Sequence, residues 1–129
     1  MLEARGLTKE FDSGTHRLTV LREVSFRVPQ GALVAIVGPS GSGKTTLLSI
    51  LGCVLSASSG EVRLFGERIS GQPESALPAV RLSYIGFIFQ GHNLIASLSA
   101  GDNIRLVLQL RGYSPKAALA EARELLERV

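Results

Sequence analysis

One cysteine, no apolar run of transmembrane length and no concentration of basic charge exclude three broad classes of protein before any motif is read. Cys53 is the single cysteine, so no internal disulfide can staple the chain, which fits a reducing compartment. It lies in an apolar helical stretch beside Leu48, Leu51 and Leu55, and core packing rather than redox or metal chemistry is its expected role. The longest apolar stretches, Leu33 to Val37, Leu47 to Leu55 and Ile85 to Phe89, are short or broken by Ser and Gly. They fall well below the ~18 residues of a membrane-spanning helix. The N-terminus carries Glu3 and Arg5 and no sustained apolar run, which predicts no secretory signal. Net charge is only +3, with 14 Lys and Arg scattered through the chain; a nucleic-acid partner would call for a clustered basic face, and none is expected. Internal repeats, domain linkers and low-complexity tracts are missing as well. What remains, 129 residues with 45% hydrophobic and 19% charged side chains, is a packed globular chain rather than a disordered one. Its length suits one domain that buries ~65% of the surface its unfolded form exposes.

Against these absences stands one complete motif. Gly38-Pro39-Ser40-Gly41-Ser42-Gly43-Lys44-Thr45 fits the G-x-x-x-x-G-K-[ST] phosphate-binding loop at every constrained position. The unbroken apolar run Leu33-Val34-Ala35-Ile36-Val37 before it reads as a strand buried on both faces, and Thr46 to Leu51 after it as the opening of a helix. Such a loop wraps a phosphate in backbone N–H groups, reinforced by the positive end of the helix dipole. Gly41 and Gly43 let the main chain approach phosphate oxygens closely. Lys44 is expected to reach the β- and γ-phosphates and the Thr45 hydroxyl to ligate Mg²⁺, with Thr46 following them into the helix. A chance glycine-rich turn is the competing reading, which the strand-to-helix setting makes much the weaker.

Around the loop the expected organisation is α/β. Val24 to Val28 alternates apolar and polar, a half-buried strand that Pro29-Gln30-Gly31 turns toward the run 33–37. Gly60 to Gly66 reads as a further short strand, and Ile85-Gly86-Phe87-Ile88-Phe89 as a second fully buried one ending at Gln90. Ser114-Pro115 starts a helix with Ser as N-cap and Pro in the first turn; its apolar face is expected along Leu119, Ala122, Leu126 and Val129.

The phosphate loop, then Ser59-Gly60-Glu61-Val62, then Ile85 to Gln90, together resemble the ATP-binding subunit of an ATP-binding cassette (ABC) transporter, over Leu2 to the last residue. The run Ile85 to Gly112 is most similar to the exporter branch with the lipoprotein-release and macrolide-efflux ATPases. The resemblance implies a P-loop NTPase core, a partly parallel sheet with flanking helices, plus an antiparallel β subdomain. It implies ATP and Mg²⁺ as cofactors, a membrane-spanning permease and a second ATP-binding subunit as partners, and a place on the cytoplasmic face of the cell membrane. It sets Phe11 where the family stacks an aromatic, usually Tyr, on adenine; an ordinary core aromatic is the alternative. Val20 and Leu21 fall at apolar contacts to base and ribose. Gln90 matches the glutamine that reaches Mg²⁺ and serves hydrolysis, at the end of a strand where α/β sheets bind ligands. The segment Gly91 to Asn103 corresponds to the surface facing the permease, with Leu94, Ile95 and Leu98 either docking contacts or small-domain core. One departure is Gly101-Asp102-Asn103, where the family tends to have Glu before Asn; a helix-interior Gly costs up to ~1 kcal/mol relative to Ala.

The family's hydrolytic elements that follow the glutamine, a Leu-Ser-Gly-Gly-Gln signature, an apolar strand ending in Asp-Glu and a switch histidine, have no match here. Ile69-Ser70-Gly71-Gln72 is superficially similar to the signature but has one glycine and precedes Gln90. Asp12 and Asp102 do not follow four apolar residues, and His16 and His92 stand in the wrong places for the switch. Residues 1–129 therefore resemble little more than the first half of the family's motor domain, incomplete at its far end. Two activities follow: the ATP-binding part of a transporter that hydrolyses ATP in its complete form, or a remnant that binds ATP without hydrolysing it. A small P-loop kinase or GTPase fits Gln90 and the antiparallel strands less well.

Overall fold

A computed structural model describes residues 1–129 apart from Ser13, Thr15, Glu74, Gln90 and His92. The strands are β1 (Leu2–Asp12), β2 (Arg17–Val28), β3 (Ser59–Leu64) and β4 (Glu67–Arg68), and the helices are α1 (Lys44–Leu51), α2 (Leu77–Tyr84), α3 (Ala100–Leu110) and α4 (Pro115–Glu127). The chain divides into two compact units, Met1–Arg81 and Leu82–Val129. Among the described residues no helix is long and apolar enough to cross a membrane.

In the first unit the strands form one antiparallel sheet in the order β2-β1-β3-β4. Ala4 and Leu7 are three apart on β1, so strict alternation would send them to opposite faces; the register shift between them, at Gly6 with φ 55°, turns both inward, where they are fully buried with Val62 of β3. Ala4 pairs with Phe26 on one side and Val62 on the other, which centres the core on β1. Gly60 lies opposite a kink in β1 at φ 92°, and a Cβ there would collide with the Gly6 carbonyl, so only glycine lets β3 approach this closely.

Two expected strands are not formed. Leu33 to Val37 and Ile85 to Phe89 belong to no sheet, and Leu33, Val37 and Ile88 are almost fully exposed. A parallel strand covered on both faces needs hydrogen-bonding neighbours beside it and packed layers above and below. The sheet that exists is antiparallel, and no described strand pairs with either run. Within the first unit Val34, Ala35, Ile36 and Val37 line an apolar cleft with Val28 of β2 and Leu47 and Leu51 of α1, so the run is covered on one side only. The Phe87 and Phe89 rings stack 5.0 Å apart, as side chains two residues apart on an extended chain can.

In the second unit α3 and α4 pack around Leu108, Ala118 and Ala122, with Ile104 against them. The expected stripe on α4 shares only Ala122 with this buried face; Leu119 and Leu126 are about 40% exposed and Val129 fully so. Small alanines form the buried part of the contact with α3, because close helix approach favours short side chains there, and Leu126 lies at its edge, its Cδ1 3.8 Å from where a Cβ on Gly101 would stand. The Ser114 side chain caps α4 as expected, accepting from Ala117 N. Ser99 caps α3 and accepts from Asp102 N, which places Gly101 in the first turn rather than the helix interior and removes most of its expected cost. Asn103 fastens the preceding loop: its Oδ1 accepts from Ile95 N at 2.8 Å, and its Nδ2 donates to the carbonyls of Ile95, Leu98 and Ser99.

The Asp102 carboxylate accepts from the Ser99 hydroxyl at 2.6 Å and from Arg105 Nη1 at 2.7 Å. These partners, the hydroxyl foremost, hold the Asp102 carboxyl below its usual pKa. A depressed folded-state pKa stabilises above the unfolded value, about 3.9 for Asp, and that contribution is lost as pH falls through the folded value. The Glu61 carboxyl is likewise lowered, chiefly by its hydrogen bond from Arg63, with the same sign. Asp102→Asn should therefore flatten the decline of thermal stability below about pH 4 and leave the plateau near neutrality little changed; parallel acid-limb melts of the two proteins test this.

Candidate functional site

The turn Ser42 N→Pro39 O and the first helical bond Leu47 N→Gly43 O, at 2.8 Å, lead the glycine-rich loop directly into α1. Gly43 is the N-cap, at φ 87°, with no side-chain capping bond and no acidic residue in the first turn. Both features leave the positive end of the helix to an outside anion. Lys44 bends back over the loop and donates from Nζ to Gly38 O at 2.9 Å, Pro39 O at 2.6 Å and, at 3.4 Å, Ser42 Oγ. The ammonium thus closes the loop on itself through neutral acceptors, which a phosphate oxygen would outcompete.

Gly43 is where sheet and loop meet. The β1–β2 ladder shifts register between Lys9, paired with Leu21, and Glu10, paired with Thr19. Such a bulge re-aims side chains, and here both Val20 and Leu21 come against Gly43. A Cβ on Gly43 would lie 2.9 Å from Leu21 Cδ2 and 3.0 Å from Val20 O. Val20, Ser40, Gly41, Gly43, Lys44, Thr45 and Thr46 line an open cleft of about 470 Å³. Seven of the expected site residues are therefore brought together here; Gly38, Pro39 and Ser42 complete the loop beside it through their bonds to Lys44. Donors, a free helix start and an exposed hydroxyl suit a polyphosphate. Among the described residues no group of three or more His, Cys, Asp or Glu could hold a metal ion. Thr45, exposed at the start of α1, offers a hydroxyl that could serve as one protein ligand to a cation carried on phosphate oxygens.

The sequence profile of the ABC transporter family matches residues 21–129. The chain belongs to the ABC transporter family. It is 43% identical over 129 residues to the ATP-binding protein LolD of a lipoprotein-releasing system in Chromohalobacter salexigens, covering all of this chain and 54% of that protein. It is 39% identical over 127 residues to MacB of Neisseria gonorrhoeae, a macrolide export ATP-binding/permease protein, covering 98% of this chain and 20% of MacB. The fold superposes with a TM-score of 0.92 and 33% identity on a solved dimeric ATP-binding cassette in a post-hydrolysis state with ADP and Pi bound, covering 98% of this chain and 56% of that one. The chain spans about half the length of LolD and of the solved cassette.

Other expected positions of this ABC transporter chain fall in several places. Phe11 is not a core aromatic: it stands 40% exposed near the end of β1, paired with Leu18, with Lys9 Nζ 4.9 Å from its ring centroid. Sequence reading missed Lys9, although residues two apart on a strand share a face and the pairing was open to that rule. Gln90 lies outside the described residues. Leu94, Ile95 and Leu98 are exposed rather than core. Cys53 is buried as expected, but in the turn after α1 at φ 57° rather than in a helix. Burial raises its thiol pKa against the opposing effect of Arg81, and the raised pKa keeps it an unreactive packing group.

Proposed function

We propose that this chain binds Mg²⁺-ATP on Gly38 to Thr46 as the ATP-binding part of an ABC transporter that drives export. The observation that carries this is the uncapped start of α1, ringed by loop glycines and Lys44 and flanked by Val20. The loop N–H groups and the helix start would bind the phosphates, Lys44 would move from its loop carbonyls to the terminal phosphates, and Thr45 Oγ1 would orient the cation. Mg²⁺, when bound, neutralises phosphate charge and polarises the terminal phosphoryl group. Gln90 is proposed as its second ligand and as a participant in hydrolysis. Export is supported by the likeness to MacB and LolD. The exposed Leu94, Ile95 and Leu98 suit a permease at the inner face of the cell membrane, and a second ATP-binding subunit is supported by the dimeric solved relative.

Adenine is proposed to stack on Phe11. Phe11→Ala should then weaken ATP binding by about 1 kcal/mol and Phe11→Tyr should be nearly neutral. Titration with a fluorescent ATP analogue in Mg²⁺ checks both, and equal affinity in the alanine variant removes Phe11 from the site.

Binding and turnover are expected to separate. Hydrolysis requires a residue that orients the attacking water in addition to a phosphate cradle, and these residues include no Asp-Glu pair after an apolar strand. The 129-residue chain by itself should release no more phosphate than its Lys44→Ala variant in a coupled assay. Release by a monodisperse sample that disappears in the variant would show that these residues suffice.

A further inference from the structure

Phe11 does not stand alone. Lys9 and Phe11 lie two apart on β1 and share a face, and the Lys9 ammonium sits 4.9 Å from the ring centroid. That distance is within the range of a cation–π contact. Phe11 pairs with Leu18 on β2, two residues, or about 7 Å of strand, from Val20 at the mouth of the phosphate cleft. Phe11 is 40% and Leu18 62% exposed, so the ring is not locked in a core.

We propose that Lys9 is a positioning residue for base recognition: its ammonium occupies one face of Phe11, sets the ring's rotamer and leaves the opposite face to a purine. This rests on the ATP-binding reading above. An exposed Phe near a strand end otherwise rotates between staggered positions, and a ring already held loses less freedom when a base stacks on it. The cation also draws on the ring's negative face, which favours an electron-rich base on the other side. Lys9 need not touch nucleotide for any of this.

The test compares two ligands, ATP and inorganic triphosphate, both with Mg²⁺, on the full chain and on Phe11→Ala, Lys9→Met and Lys9→Arg, with circular dichroism as the folding control. Lys9→Met should weaken ATP about two- to fivefold and leave triphosphate unchanged, and Lys9→Arg, which keeps a cation over the ring, should restore ATP binding. Equal losses for ATP and triphosphate in Lys9→Met would make Lys9 a general electrostatic or structural residue and overturn the proposal. No change for either ligand would overturn it as well. If Phe11→Ala fails to alter the ATP-to-triphosphate ratio, the base-stacking reading itself falls; if it alters the ratio while Lys9→Met does not, only the role of Lys9 falls.

Discussion

Lys44→Ala is expected to weaken Mg²⁺-ATP binding by one to two orders of magnitude, the scale of one or two charge-assisted hydrogen bonds at about 1.5–3 kcal/mol each. The ammonium does two things in this structure. It ties Gly38 and Pro39 together through their carbonyls, so its removal loosens the loop before any ligand arrives. It is also a cation lining the cleft at the helix start, where phosphates would lie. Lys44→Arg separates the two roles: a planar guanidinium keeps the charge but cannot present the same point-like set of donors within so tight a turn, and should recover only part of the affinity. Titration of the three proteins with a fluorescent ATP analogue measures the difference. Affinity unchanged in Lys44→Ala would remove the loop from nucleotide binding altogether.

Gly43→Ala should be as damaging by an unrelated route. At φ 87° an L-residue is strained by about 1–2 kcal/mol. Its Cβ would in addition lie 2.9 Å from Leu21 Cδ2 and 3.0 Å from the Val20 carbonyl. Leu21 is 6% exposed and cannot swing into solvent cheaply, and the Val20 carbonyl is backbone. The loop must therefore lift from the sheet, at about 1–3 kcal/mol more for overpacking, and the start of α1 moves with it. The expected results are a melting temperature lowered by several degrees and ATP binding weakened at least tenfold. Gly41→Ala, which meets no atom within 4 Å, should show the backbone strain alone. If both variants melt alike, the contact of Gly43 with β2 is not what shapes the loop.

Much of this was open to reading from residues in order. The phosphate loop is a local device: glycines for backbone geometry, lysine for charge and a helix start all lie within a few positions, so spacing suffices to identify it. Ser114 as a cap, the turn at Pro29-Gln30-Gly31 and the strands 24–28 and 60–66 are local in the same sense. The 24–28 part of β2 could be placed because alternation with one covered face is a period-two signal, whereas β1 and residues 17–23 of β2, where register shifts break the alternation, escape a reading of the sequence as strands. The family followed from the order of such motifs.

Tertiary structure decided what depends on neighbours. The runs 33–37 and 85–89 have the composition of buried strands, but a parallel strand is completed by ladders and layers from elsewhere in a fold, and composition does not supply those. Periodicity on α4 pointed to Leu119, Ala122, Leu126 and Val129, whereas the residues buried against α3 are Ala118 and Ala122, because burial at a helix contact is settled by how closely the partner approaches. The bulge that turns both Val20 and Leu21 onto Gly43 arises from the register of β1 on β2, a pairing between residues about a dozen positions apart. Sequence by itself determined the chemistry of the loop and the family, since covalent spacing carries both; which strands form, which helix face is covered and why Gly43 admits no side chain were decided by packing between segments, which no local pattern encodes.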